Sequence, residues 1–183
     1  MTTGGRIAQI SVSGGGVPKR AVDEARVGSL GLDGDAHRDT EHHGGPERAV
    51  CLFALEAIHA LQAEGHRIVP GALGENVTVE GIDWPAVGPG TTFLLGTTVL
   101  VQVTRFTSPC LNIASCFTGG DYSRVSQKRH PGWSRVYTRV LVPGTIRRGD
   151  AVRILSDAEA AARVAVNTSA RNPGGSGQFS AMA

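Results

Sequence analysis

The chain lacks several things that would place it quickly. Nowhere do about 18 apolar residues run together, as a membrane-spanning helix requires, and the opening MTTGGRIAQISV has no basic start followed by an apolar core, so neither a membrane anchor nor a secretory signal is expected. Cysteine is scarce: Cys51, Cys110 and Cys116 are an odd number, which excludes a fully paired disulfide scaffold and is too few for a four-cysteine iron–sulfur site. No two of them form a CxxC pair, which removes zinc ribbons and thioredoxin-like redox motifs. Free thiols fit a reducing compartment, so a cytoplasmic location is expected. There is no GxxxxGK[ST] phosphate loop, no GxSxG elbow and no flavin motif. Lysine occurs only at positions 19 and 128, against 16 arginines, which leaves few candidates for a Schiff base. Aromatic residues make up 5%, with no stripe on which bases could stack, so nucleic acid is not an expected partner.

What is present describes a globular protein. Of 183 residues, 40% are hydrophobic and 19% charged, enough to build a core and too apolar for disorder. The 25 glycines lie beside short β-branched runs, the composition of strands joined by tight turns. Alternation predicts strands at 6–12, 48–53, 77–82, 135–142 and 151–155, and a hairpin from 91–95 and 97–104. Leu55, Ile58 and Leu61 at three-residue spacing, stopped by Gly65, predict a helix over 54–65. The segments 14–20, 29–47, 70–76 and 143–150 read as loops and turns, 118–132 as loop with at most one short helix, and 157–166 as a short helix before a Gly/Ser-rich tail. The expected fold is mainly β, a closed or nearly closed barrel that hides its strand edges, in a domain over residues 1–156 with a partly disordered tail over 157–183.

Charge is unevenly spread. Residues 1–123 carry 8 basic and 13 acidic side chains, whereas residues 124–153 carry 8 basic ones and a single acid, Asp150. That run is either a solvated face or an anion pocket, phosphate being the usual guest of clustered arginines. The densest polar constellation runs from Asp33 to Pro46 and holds His37, His42 and His43. Its H-x4-H-H spacing on a loop matches no helix-face zinc motif. A structural role in a rigid loop and the lining of a ligand pocket both remain open. Cys110, behind Ser108-Pro109 at the end of an apolar strand, is well placed to face a cleft, although a buried cysteine is often only a small hydrophobe, the reading that suits Cys51. Cys116 could be a second thiol near Cys110. In PGALGEN, Glu75 and Asn76 could orient a ligand, or simply form a turn.

Taken together, VPKRAVDEARV, GLDGDAHRDTEHHGGPERAVCLF, PGALGENVTVEGID, RFTSPCLNI and GWSRVYTRVLVPGTIRRGD resemble the MOSC domain, named for the C-terminal part of molybdenum cofactor sulfurases, and its small standalone bacterial members in particular. The matching motifs span roughly residues 6–155 in the family's order. The resemblance implies a β-barrel and a pocket for the molybdenum cofactor, a pterin carrying a dithiolene and a phosphate. It makes Cys110 the catalytic thiol that meets molybdenum or carries sulfur, in keeping with the softness of a thiolate ligand. Lys19, Arg38 and Arg139 are then the candidates for the phosphate, with His37, His43 and Asn76 lining the pocket. No pyridoxal-phosphate desulfurase domain is recognisable, so the expected partners are an external electron donor or a sulfur-donating desulfurase, and a small-molecule substrate. Three activities remain: a reductase of N-hydroxylated compounds, a persulfide or cofactor carrier, and a binding module without chemistry.

Overall fold

The computed structural model describes residues 4–36 and 44–171. Eleven strands and two helices follow one another in the order β1 (Gly5–Val12), β2 (Arg20–Val22), β3 (Glu24–Gly28), β4 (Gly31–Leu32), β5 (Val50–Ala54), α1 (Leu55–Ala63), β6 (Val77–Glu80), β7 (Thr92–Leu95), β8 (Val99–Phe106), β9 (Val136–Val142), β10 (Gly144–Arg147), β11 (Ala151–Leu155) and α2 (Asp157–Arg171). Short 3-10 helices fill the connections, among them Leu111–Cys116 and Tyr122–Val125.

Seven strands close into a barrel in the order β11-β7-β8-β9-β5-β6-β1, with β1 returning to β11. Every pairing round the ring is antiparallel except β5 with β6, which α1 connects as a crossover. Strand β1 divides one edge between two partners: Gly5 and Arg6 face Val152 and Ala151 of β11, and Ile10–Val12 pair with β2. Its other edge pairs with β6 across a bulge between Ile7 and Gln9. A separate sheet, β10-β3-β4, carries the remaining strands.

The runs VCLFA and TFLL are buried throughout, as strands covered on both faces should be. They and their neighbours build a core in which Phe53 meets Trp84 edge to face at 6.1 Å between centroids. A smaller cluster of Leu94, Leu100, Val142, Leu155 and Ala160 seats α2 on the outside of the barrel. Helix α1 lies within the expected segment, buries Ile58 and Leu61, and gives way after Glu64 to Gly65, whose φ is 90°.

Three features depart from the sequence reading. The segment read as a turn at 143–150 contains β10, whose four residues pair with β3, more than a hundred positions away. Strand β2 begins where the loop reading of 14–20 ended, and β3 and β4 had no alternation long enough to announce them. Helix α2 continues through Arg171, beyond the expected 157–166, although Asn167, Thr168 and Ser169 are weak helix formers; the Thr168 hydroxyl donates to the Val164 carbonyl at 3.0 Å. No helix among the described residues is long and apolar enough to cross a membrane.

Candidate functional site

At one end of the barrel a cavity of about 350 Å³ opens beside Cys110. Its walls come from six places in the chain: Gly16, Val17 and Lys19 before β2; Ala36 after β4; Arg48 and Cys51 at the start of β5; Leu73, Gly74 and Asn76 ahead of β6; Ser108, Cys110, Asn112 and Ile113 after β8; and Arg135 and Tyr137 at the start of β9. The volume lies at the small end of the range for ligand pockets.

Cys110 sits where β8 has ended and the 3-10 helix Leu111–Cys116 begins, its backbone extended at φ −132° and ψ 171°. Pro109 cannot continue the β8 ladder, and the chain turns there. The thiol is half-buried on the cavity wall. Cys51 lies in the same wall but fully within the core, and burial pushes its thiol up to about 11 despite the nearby Arg135. It therefore remains a protonated, inert thiol at neutral pH. Tyr137 is likewise pushed up to about 12, chiefly by desolvation, so its phenol stays a hydrogen-bond donor. Cys116 does not line the cavity; its Sγ lies 3.7 Å from the Ala72 carbonyl oxygen.

The polar walls are braced from behind. Lys19 pairs with Asp35, the two side chains only 7% and 2% exposed. Asp35 also accepts from the Ser13 backbone N–H at 2.9 Å and from Asn76 Nδ2 at 2.8 Å, so the buried charges are hydrogen-bonded as well as paired. Asn76 Nδ2 donates further to the Ser11 carbonyl at 3.3 Å, and its Oδ1 accepts from the Cys51 N–H at 3.1 Å. Asn76 is thus a wall residue whose amide is committed to holding β1, β5 and Asp35 together. Gly71 makes this packing possible: at φ of 88°, an added Cβ would lie 2.6 Å from the Lys19 carbonyl oxygen. Its N–H donates to Glu75 Oε1 at 2.7 Å. Glu75 does not line the cavity; it is completely buried, its Oε2 has no partner, and desolvation raises its pKa.

Arg135 is the cation the sequence reading missed. It is buried, donates from Nη1 to the Leu73 carbonyl, and holds its Nε in the protein with no partner. Arg48, also missed, lies half-buried in the same wall. Arg139, expected at the phosphate, does not line the cavity. Its guanidinium lies along β8, donating to Gln102 Oε1 from Nε at 3.2 Å and Nη2 at 2.7 Å, with Glu47 at 3.8 Å. The other cations of the basic run are mostly neutralised: Arg124 grips Glu64 and stacks on Trp133, Arg147 pairs with Glu24, Arg148 with Asp23 and Arg153 with Glu159. His37, Arg38 and His43 lie outside the described residues.

The cavity therefore joins a soft sulfur donor to Lys19, Arg48 and Arg135, with Leu73, Val17 and Ile113 supplying apolar surface. Among the described residues no group of three or more His, Cys, Asp and Glu side chains is gathered to chelate a bare ion. A group with a metal–sulfur end and an anionic end fits the thiol and cations of this cavity, and Arg135, which lines it, keeps a buried Nε with no partner.

Known proteins share this architecture. A solved structure of YiiM from Geobacillus stearothermophilus superposes over 92% of this chain and 85% of its own, with a TM-score of 0.66 at 24% identity. The structure of YiiM from Escherichia coli gives a TM-score of 0.60 at 25% identity, over 82% of this chain and 70% of its own. In sequence, the chain is 33% identical over 129 residues to the Bacillus subtilis protein YflK and 29% identical over 155 residues to E. coli YiiM. Those matches take in 70% and 82% of this chain but 57% and 63% of the relatives, so the chain spans less than two thirds of their length. A Gibberella moniliformis protein described as a reductase is 31% identical over 132 residues, which is 69% of this chain and 23% of that protein. The MOSC domain model matches residues 39–153, which include Arg48, Cys51, Asn76, Cys110, Arg135 and Tyr137 of the cavity, and the chain belongs to the MOSC domain family.

Proposed function

We propose that the protein binds the molybdenum cofactor in the Cys110 cavity and is the catalytic component of a reductase that removes oxygen from N-hydroxylated compounds. The observation that carries this reading is the placement of one accessible thiol in the same small cavity as Lys19, Arg48 and Arg135. When bound, the cofactor supplies a metal centre able to exchange two electrons and accept an oxygen atom. Cys110 would be the protein's soft ligand to that metal. Arg135 and Arg48 would hold the anionic end, helped by a Lys19 whose charge Asp35 already shares. Tyr137 lines the same space with its phenol protonated. Leu73, Val17 and Ile113 keep water from the apolar walls. Reducing an N–OH group to N–H consumes two electrons and two protons and releases water. The electrons would come from a separate donor protein or domain, and the reductase among the relatives is in keeping with this class of chemistry.

The exposed half of Cys110 favours a second reading, a carrier in which Cys110 holds a persulfide received from a desulfurase. Metal and pterin analysis of protein made in a host that synthesises the cofactor, beside Cys110→Ser, separates the two. Molybdenum and pterin near one per chain, lost in the variant, together with reduction of an N-hydroxylated base by a chemically reduced dye, support the reductase. Metal-free protein carrying additional sulfur on Cys110 by mass spectrometry supports the carrier and overturns the first reading.

A further inference from the structure

A second, larger cavity of about 830 Å³ is walled by the segment Phe106–Pro109 and by residues between Asp121 and Arg129. Ser108 belongs to both cavities, so the second one begins at the edge of the Cys110 site. Its chemistry is differentiated along its wall. Phe106 and Tyr122 bring aromatic side chains to the wall, both half-buried and packed in part against the core. Ser108, Ser123 and Ser126 offer hydroxyls and Gln127 an amide.

Lys128 and Arg129, adjacent and exposed, are the two cations of the basic run that line this cavity. Neither has a carboxylate within ion-pair distance among the described residues, and Arg129 Nη1 donates only to Ser123 Oγ at 3.2 Å. Five of their neighbours in the run, Arg124, Arg139, Arg147, Arg148 and Arg153, do have such partners. Asp121 is the carboxylate of the wall; it accepts from the Ser123 N–H at 3.1 Å, and hydrogen bonding to Ser123 holds its pKa below the usual range. It leaves the wall with a net single positive charge and adds a strong acceptor.

We infer that this second cavity binds the monophosphate ester of a planar heterocycle, a nucleoside monophosphate in chemical class. Lys128 and Arg129 hold the phosphate, Phe106 and Tyr122 flank the ring, and Asp121 accepts from a sugar hydroxyl or ring amine. Assigning that ligand as the substrate, reaching past Ser108 toward Cys110, rests on the reductase reading. The binding itself does not.

The test is equilibrium binding to the full chain prepared without molybdenum, with adenosine 5′-monophosphate, adenosine and inorganic phosphate as probes. Wild-type protein should bind the nucleotide at least about tenfold more tightly than adenosine or phosphate. The Lys128→Gln/Arg129→Gln double variant should lose that preference and retain the wild-type melting temperature, both side chains being exposed. Cys110→Ser should bind the nucleotide as wild type does, while losing metal when made in the cofactor-producing host. Equal affinity for nucleotide and nucleoside, no nucleotide binding, or a double variant unchanged in preference would each overturn the inference. Loss of nucleotide binding in Cys110→Ser would overturn it too, by moving the nucleotide into the thiol cavity. Failure of the cofactor reading instead appears as an absence of molybdenum from wild-type protein, whatever the nucleotide result.

Discussion

Glu75 shows how an ionisable residue can serve a site it does not touch. Its carboxyl is buried behind the cavity wall, with one oxygen accepting from Gly71 and Thr78 and the other unpartnered. Its pKa is raised in the folded protein, so the fold favours the neutral form. The stability that this protonation supplies is complete below the unfolded pKa and is lost as pH rises through the folded one. Glu75→Gln keeps an acceptor for the Gly71 N–H and removes the titration. Melting temperatures measured between about pH 5 and pH 8 should therefore fall more steeply with pH for wild type than for the variant. A parallel pair of curves would show that Glu75 does not titrate in this window. Cys51 and Tyr137, at about 11 and about 12, contribute nothing to it.

The residue scale is also where sequence reading was most uneven. Cys110 could be found because a proline at the end of an apolar strand marks a turn, and a thiol there faces a cleft. Arg135 and Arg139 could not be told apart, because what separates them is distant: Leu73 receives one, while Gln102 and Glu47 hold the other. The anion-pocket reading of the basic run had the same difficulty, since Asp23 and Glu24, which neutralise Arg148 and Arg147, stand more than a hundred residues earlier.

Among the elements, the loop from Pro70 to Asn76 matters most, because it sets two cavity walls against each other. Lys19 N–H donates to the Gly71 carbonyl at 2.9 Å while Gly71 N–H donates to Glu75, so the loop ties the segment before β2 to the start of β6. Gly71→Ala should be costly twice over. The positive φ adds about 1–3 kcal/mol of strain, and the new methyl meets the Lys19 backbone, which has nowhere to yield. Urea unfolding should show a loss of at least about 2 kcal/mol, and protein from the cofactor-producing host should carry less molybdenum per chain. The elements the sequence concealed were the short ones. Strand β10 is four residues between Pro143 and Arg148-Gly149, and pairing with β3, rather than its own alternation, makes it a strand.

For the molecule as a whole, the closed ring and α1 share the main core, and α2 lies on the outside. Phe53→Ala, which empties the side chain packed against Trp84, should cost about 3–5 kcal/mol in reversible unfolding. Val166→Ala on the exposed side of α2 should stay within about 0.5 kcal/mol. Equal losses at the two positions would mean that α2 is as much a part of the cooperative unit as the barrel. The mainly β, barrel-forming character of the chain was legible because burial on one or both faces writes itself into strand composition over many positions. The closure between β1 and β11 was not, since Gly5 and Arg6 opposite Val152 and Ala151 leave no pattern in either strand.

That closure sets an order of events during synthesis. Strand β1 leaves the ribosome first and β11 is the last stave of the ring, so the edge at Gly5 and Arg6 waits for almost the whole chain before it is covered. Contacts so far apart in sequence form late and slowly. The cavity has the same history, because its walls run from Gly16 to Tyr137 and no shorter nascent segment contains them all. Whatever fills it can meet a complete set of walls only once Tyr137 has been made.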